Sequence, residues 1–533
     1  MIAENTIQTK QPRSPFNWDQ RLLIGSLVIF AIALGLRLWH LDTIEYPVFD
    51  EVYFPKHAEE YLTATPFRDG HPPLAKYLIA VTIMALGHNP WGYRLASAIV
   101  GAIIPLLAIG VAYRFSGKWR LALITGALTV TDGLFLVESR FGLINVFLVA
   151  FGLAALVLSL AALERKGITR TLYLTSAGIM LGASAAAKWN GLGFWLMSLV
   201  LVALVWVNSW LKPELCQDLG ILDKIKTLDW WQYLLWLAIA PALFYELQWL
   251  PHIILYAPTL DIAQLRDNPN IANWLVYTWR SFVAFNQDIW DYNHNSAVMG
   301  MNSHPYCSSW LSWPIASRPI GYYYHYVEET KHVIDVHAIG NPVLWWFSTL
   351  AIITLTAQGL RRFRAMDAYV LIGYSANYLP WLLVSRCLFI YHYMSAAVFS
   401  FMALAILLDR LLPEGVSQKA GLAESAESAE LMIETNIETQ TEQNAGEITD
   451  PQLIDQKNPN KSNLMDLLLK LWARVRNVRS QWWRYGAFAI IILAVVGTQI
   501  FFMPIWLGID ISFEAFYHRM WSRYVPLNWF NWI

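Results

Sequence analysis

The chain has 533 residues, 56% of them hydrophobic and only 14% charged, with 27 tryptophans. A soluble domain ordinarily has about 25% charged residues, so this composition excludes one and marks an integral membrane protein. A formal net charge of -1 gives no sign of a nucleic-acid partner, and three scattered cysteines, Cys216, Cys307 and Cys387, show neither metal-ligand spacing nor an obvious disulfide pattern.

The first twenty residues are polar and lead into a long apolar run without a small-residue cleavage site, the pattern of an uncleaved signal anchor. Apolar runs near twenty residues predict membrane-spanning helices at 21–39, 94–113, 121–137, 145–163, 172–187, 193–210, 232–250, 342–360, 368–384, 389–409 and 485–504. A twelfth run, "PLAKYLIAVTIMALG" at 73–87, is short. The loops "RFSGKWR" (114–120), "ERKGITR" (164–170) and "RRFRAMD" (361–367) are rich in Lys and Arg, which gather on the cytoplasmic side of a membrane. All three share a side with the amino terminus only if 73–87 does not cross. The expectation is an all-α polytopic membrane protein with about eleven spans, the amino end inside and the carboxyl end outside. Segment 73–87 would then lie at the interface or dip into it.

Residues 1–410 form the predicted transmembrane body, with long outer loops at 40–93 and 251–341. Residues 411–463 are polar, acidic and repetitive, too poor in apolar groups to bury a core, and read as a disordered cytoplasmic linker. Segment 464–484 mixes Leu, Trp and Val with Lys and Arg at roughly helical spacing. It reads as a basic amphipathic interfacial helix or, equally, as a solvated extension of the last span. Residues 485–533 hold that span and an outer tail.

In this topology the unusual polar residues collect on the outer face. They lie in loop 40–93, in "ESRF" (138–141), "KWNG" (188–191) and "SRCLF" (385–389), and in loop 251–341. Ionisable groups cost roughly 2.5–3.5 kcal/mol at the bilayer centre and are usually kept for function. Asp50 and Glu51 follow the first span within "PVFDEVYF"; read alone they are a solvated loop pair. Arg37 precedes them, and "RDGHPPLAK" (68–76) adds His71 beside a stiff double proline. Arg140, Lys188 and Arg386 stand at span ends, where snorkelling to the interface is the ordinary explanation for each. His392 is equally compatible with a satisfied core histidine. Gathered on one face, such cations suit a phosphate. The stretch "HPYCSSWLSWPIASRPIGYYY" (304–324) reads as an aromatic belt or as a rigid platform for a sugar or peptide. No Walker loop, dinucleotide fingerprint, nucleophile elbow or zinc signature is present in the sequence.

Taken in order, "FDEVYF", "HPPLAK", "ESRF", "GASAAAKWNGL", "HPYCSSWLSWPIASRPI", "GNPVLWW" and "YLPWLLVSRCLFIYHY" resemble the protein O-mannosyltransferases, membrane enzymes of the GT-C glycosyltransferase fold. The matches run from Arg37 to about His392. Two departures stand out. The Leu-Asp step that this family usually has after "ESRF" is replaced by "GLINVF", with Asn145 where an acid is expected. Loop 251–341, about ninety residues, is too short for the MIR domain of eukaryotic members, so the chain resembles a bacterial type.

The resemblance implies a polyprenyl-phosphate-mannose donor and Ser/Thr hydroxyls of translocated polypeptides as acceptors, at the translocon of a plasma (inner) membrane, with the site on its outer face. It implies Asp50 as base, with Glu51 orienting the site or binding the acceptor peptide. Arg140, Lys188, Arg386 and His392 would hold the donor phosphate, and Arg37 would steady the carboxylate loop. His71, His304, Tyr306, Trp310 and Arg318 would line the acceptor groove. No cofactor is required and no metal cluster is visible, although a divalent ion on the carboxylates stays open. Two rival readings are another GT-C enzyme acting on a lipid or glycan and, more remotely, a secondary transporter.

Overall fold

A computed structural model of the chain describes residues 20–211, 219–256, 270–295, 300, 303–361, 364–412, 482–521 and 532. Nearly all of the linker and of segment 464–484 lies outside these residues. By compactness the chain divides into two units, 1–407 with 494–533, and 408–493.

Helices account for almost every predicted span. They are α1 (Gln20–Leu38), α2 (Phe54–Leu62), α3 (Leu74–Leu86), α4 (Pro90–Ser116), α5 (Trp119–Val130), α6 (Gly133–Arg140), α7 (Asn145–Leu163), α8 (Gly167–Ala187) and α9 (Leu192–Trp210). Beyond these come α10 (Trp230–Tyr256), α11 (Ile271–His294), α12 (Pro342–Gly359), α13 (Ala365–Tyr378), α14 (Met394–Leu411), α15 (Trp482–Leu507) and α16 (Phe513–Arg519). Seven of them (α1, α4, α7, α9, α10, α15 and α14 with the short turn before it) are long and apolar enough to cross a membrane. The chain is a multi-pass membrane protein.

The predicted third span is a pair: α5 and α6 meet at a 60° bend. Asp132 sets it. Buried at the break, Asp132 accepts from Phe135 N (3.0 Å) as the cap of α6, and also from Asn341 N (3.1 Å) and Trp345 Nε1 (2.6 Å). A carboxylate with three donors makes a fixed corner instead of a buried charge without partners. Helix α3 has 13 residues, about 20 Å at 1.5 Å per residue, short of a hydrocarbon core of about 30 Å.

Side chains tie the ends of helices into two groups. Arg21, at the start of α1, lies 5.4 Å over the ring of Trp119, and Arg114 pairs with Glu164 at 2.7 Å, so the start of α1 and the loops 114–120 and 164–170 share one end. Lys188 follows the other end of α8, 21 residues away, or about 32 Å.

The helical body is joined by a small antiparallel sheet that the hydropathy pattern does not announce. Strand β1 (Ile320–Val327) pairs with β2 (His332–Ala338), which pairs with β3 (Ile511–Ser512). Lys331, in the connection, has φ +55°.

Candidate active site

The stretch Phe49–Val52 is one tight turn, and Glu51 anchors it. Fully buried, Glu51 accepts from Arg94 through both oxygens (Nε 2.8 Å, Nη2 2.8 Å), from Gly142 N (2.7 Å) and from Val48 N (3.2 Å). Arg94 also donates to the carbonyls of Leu41, Ile44 and Tyr46, at 2.9, 2.7 and 3.3 Å. Phe49 carries the strain of the turn, with φ +50°, a conformation that persists for a bulky residue only where surroundings over-determine it. They do so here. Phe49 stacks on Tyr322 at 4.7 Å and meets Phe389 and Tyr391 edge-on at 6.1 and 6.4 Å.

The turn sends Asp50 away from Glu51. Its Oδ2 lies 3.4 Å from the hydroxyl of Tyr391. Burial pushes its carboxyl up to about 6, against the pull of Lys188 and of the tyrosine. Lys188 Nζ stands 4.7 Å over the ring of that same Tyr391 and donates to Asn145 Oδ1 at 3.0 Å. Asn145 Nδ2 in turn donates to Glu138 at 2.9 Å, and Tyr322 donates to the other oxygen of Glu138. A continuous polar chain therefore runs from Tyr322 through Glu138 and Asn145 to Lys188, whose ring contact with Tyr391 leads to Asp50. Burial lowers the Lys188 ammonium to about 8, although Asp50 pulls it upward.

Beside Lys188 lies a cavity of about 560 Å³. His71, Lys188, Arg386 and His392 form its polar end, and Trp195, Leu196, Pro380, Leu383 and Val384 its apolar flank. Asp50 lies beyond Lys188, outside the lining. Burial lowers Arg386 from its ordinary value, and among the described residues no carboxylate pairs with it. Burial, with Lys188 nearby, also holds His71 well below the usual imidazole range. His392 Nδ1 lies against the Phe389 backbone, 2.9 Å from its O or 3.1 Å from its N as donor or acceptor according to tautomer, and the ring stacks on Trp313 at 6.0 Å; its buried Nε2 has no partner among the described residues. The cavity can take an anionic head at one end and an apolar chain along the other.

Glu51, expected to orient the site or bind the acceptor, has four donors on its two oxygens and holds the turn. Two expected roles need correction. Arg37, expected to steady the carboxylate loop, donates to Ala33 O (3.0 Å) and Phe135 O (3.4 Å); Arg94 does that work. Arg140, expected on phosphate, caps the end of α1 through the carbonyls of Leu36, Arg37, Trp39 and His40, at 3.0, 3.2, 2.6 and 3.2 Å. The cysteines also differ from expectation, since Cys307 and Cys387 form a disulfide.

The residues expected to line an acceptor groove divide. His71 borders the cavity. His304 stands edge-on to Phe49 at 6.0 Å and to Phe389 at 5.4 Å, within reach of the Asp50 turn. Tyr306 lies under Arg318 at 5.8 Å, and Arg318 donates to Pro305 O at 2.5 Å. Trp310 packs on Tyr378 at 5.1 Å. Sequence reasoning missed Arg94, Glu138, Tyr322 and Tyr391. Glu138 lies in "ESRF" two residues before Arg140, and Tyr391 in "FIYHY" immediately before His392.

A family profile described as "Dolichyl-phosphate-mannose-protein mannosyltransferase" matches residues 27–90 and 84–257, and one described as "C-terminal four TMM region of protein-O-mannosyltransferase" matches 278–435. Among curated proteins, the polyprenol-phosphate-mannose–protein mannosyltransferase of Corynebacterium glutamicum is 26% identical over 481 residues, covering 79% of this chain and 88% of its own. That of Mycolicibacterium smegmatis is 25% identical over 443 residues, 74% of this chain and 82% of its own. Among solved structures, a chain of the Saccharomyces cerevisiae protein O-mannosyltransferase complex bound to the sugar donor matches 96% of this chain and 93% of that one. Its TM-score is 0.67 at 15% identity. The fold is that of the GT-C glycosyltransferases.

Proposed function

This chain belongs to the protein O-mannosyltransferase family, and from that premise we propose that it transfers mannose from polyprenyl-phosphate-mannose to Ser or Thr hydroxyls of polypeptides, with Asp50 as base. The observation that carries this reading is the position of Asp50. It is a carboxylate raised to about 6, joined through Tyr391 to Lys188, and Lys188 in turn lines a cavity whose polar end also holds Arg386 and His392.

The chemistry follows from the groups present. A hydroxyl is a weak nucleophile and gains from a positioned base with a pKa near working pH. Asp50 takes the hydroxyl proton as the oxygen attacks C1 of the mannose. The bond from C1 to the phosphate oxygen breaks, and the electron pair leaves with the lipid phosphate. Lys188 and Arg386 meet the charge that develops there. Attack opposite the phosphate inverts C1, giving an α-mannoside from a β-linked donor. The sugar arrives already activated, so the proposed step calls for no cofactor. The prenyl chain would follow the flank formed by Trp195, Leu196, Pro380 and Leu383.

The same reading puts the site on the outer face of the membrane and the amino terminus inside. Basic loops 114–120 and 164–170 lie at the opposite end of α8 from Lys188, as the positive-inside rule asks. The Cys307–Cys387 disulfide borders the site, and such bonds persist in oxidising compartments. Secreted or membrane polypeptides meeting the enzyme at the translocon are the acceptors this placement suits.

The test is transfer of label from polyprenyl-phosphate-mannose to a Ser/Thr peptide in membranes holding the wild type or Asp50→Asn. Label with the wild type alone is expected. Label from both discards Asp50 as base, and label from neither, with lipid acceptors labelled instead, discards the protein acceptor.

A further inference from the structure

Strand β1 lies at the edge of its sheet. The strand order is β1-β2-β3, so only one side of β1 is paired. Among the described residues, no backbone hydrogen bond outside the sheet reaches Ile320–Val327. Among the described residues, alternate N–H and C=O groups on this side of the eight-residue strand therefore have no backbone partner; Tyr324, His325 and Tyr326 are exposed, and Ile320 and Tyr322 are buried. Proteins usually blunt such an edge with proline, lysine, short length or a covering element. Here "IGYYYHYV" has neither proline nor lysine. Tyr324 and Tyr326 pack on Phe516 and Phe513 of α16, each at 5.6 Å, so α16 supports one face of the sheet.

The inner end of this edge reaches the Asp50 turn. A register shift between Gly321 and Tyr323 re-aims the local side chains, as bulges do. Tyr322 stacks on Phe49 at 4.7 Å and donates to Glu138. Phe49 immediately precedes Asp50, so the edge and the carboxylate are continuous.

We propose that β1 is the docking edge for the acceptor: an extended segment of polypeptide pairs with Ile320–Val327 as an added strand and brings its hydroxyl to Asp50. The inference rests on the protein-acceptor reading above. A row of alternating backbone donors and acceptors is matched by another backbone and by neither a sugar nor a lipid chain. Main-chain pairing also accepts many sequences around one hydroxyl.

The test is made on the acceptor peptide. Eight residues of β1 extend about 26 Å at about 3.3 Å each, so lengthening the peptide on one side of its serine should lower KM until about seven residues have been added. Lengthening on the other side should change little. N-methylation of alternate amides in the effective arm should raise KM at least tenfold in one register and leave the other near the parent value. Equal effects in both registers, or none in either, overturn the proposal. A photo-crosslinking residue in place of His325 supplies a readout that needs no turnover. Capture of the long-armed peptide, competed by the unlabelled one, supports the edge even where no mannose is transferred; capture of a second copy of the chain alone overturns it. Transfer to an armless peptide reports separately on the protein-acceptor reading.

Discussion

Lys188 Nζ donates to Asn145 Oδ1 at 3.0 Å, where an acid was expected by resemblance. The amide serves two neighbours at once, because its Nδ2 donates to Glu138 at 2.9 Å. A carboxylate in its place would attract Lys188 and repel Glu138. An opposite charge at this range favours the ammonium, so Asn145→Asp should move the alkaline limb of the pH–rate profile upward by about one unit. An unmoved limb would mean that Lys188 does not titrate in that limb.

The acid limb belongs to Asp50. Burial raises its carboxyl to about 6, and a base must be unprotonated to act, so kcat/KM should fall about tenfold per pH unit below that value. Lys188, lowered to about 8, must keep its proton to meet the phosphate, so donor KM should rise above that pH. A bell with limbs near these two values is expected. In Asp50→Asn, activity should drop by about 10² to 10⁴ and the remainder should lose its acid limb.

Glu51 and Asp50 are sequence neighbours with opposite expected phenotypes. Removing one partner of a buried ion pair costs about 3–5 kcal/mol, so Arg94→Met should lower the melting temperature of the detergent-solubilised protein sharply, and Glu51→Leu likewise. Asp50→Asn should melt near the wild type, since it relieves a buried charge. Equal melting for Arg94→Met and wild type would remove the structural role given to Glu51.

These contrasts show what the chain makes legible. Spans were readable because a bilayer demands long apolar helices with internally paired backbones, whereas Asp50 and Glu51 read alone as a solvated loop pair and Asp50 drew its expected role from the family resemblance. The residues around them gave no signal. Arg94 lies 43 residues from Glu51, and no periodicity announces that pairing. Arg37 and Arg140 looked available because their acceptors are backbone carbonyls, for Arg140 those at the end of α1, which sequence does not display. The stretch that holds the start of β1 read as an aromatic belt or a rigid platform and not as a strand, since tyrosines suit interfaces and strands alike. The disulfide joins residues 80 apart and left no local trace.

That disulfide carries the last prediction. Cys387 is bracketed by Arg386, which lines the cavity, and by Leu388, whose carbonyl accepts from Ser308 N at 2.7 Å. Phe389, one residue on, packs against Phe49. The bond to Cys307 thus pins the turn that presents Arg386. Without it the Ser308–Leu388 hydrogen bond remains, so Cys307→Ser and Cys387→Ser should fold while Arg386 loses its fixed position. Donor KM should rise severalfold in either variant, and a reductant should do the same to the wild type. Because the effect passes through Arg386, combining Cys387→Ser with Arg386→Ala should add little to Arg386→Ala alone, as sites that act through one group are not additive. Full additivity in that cycle would separate the disulfide from the phosphate site.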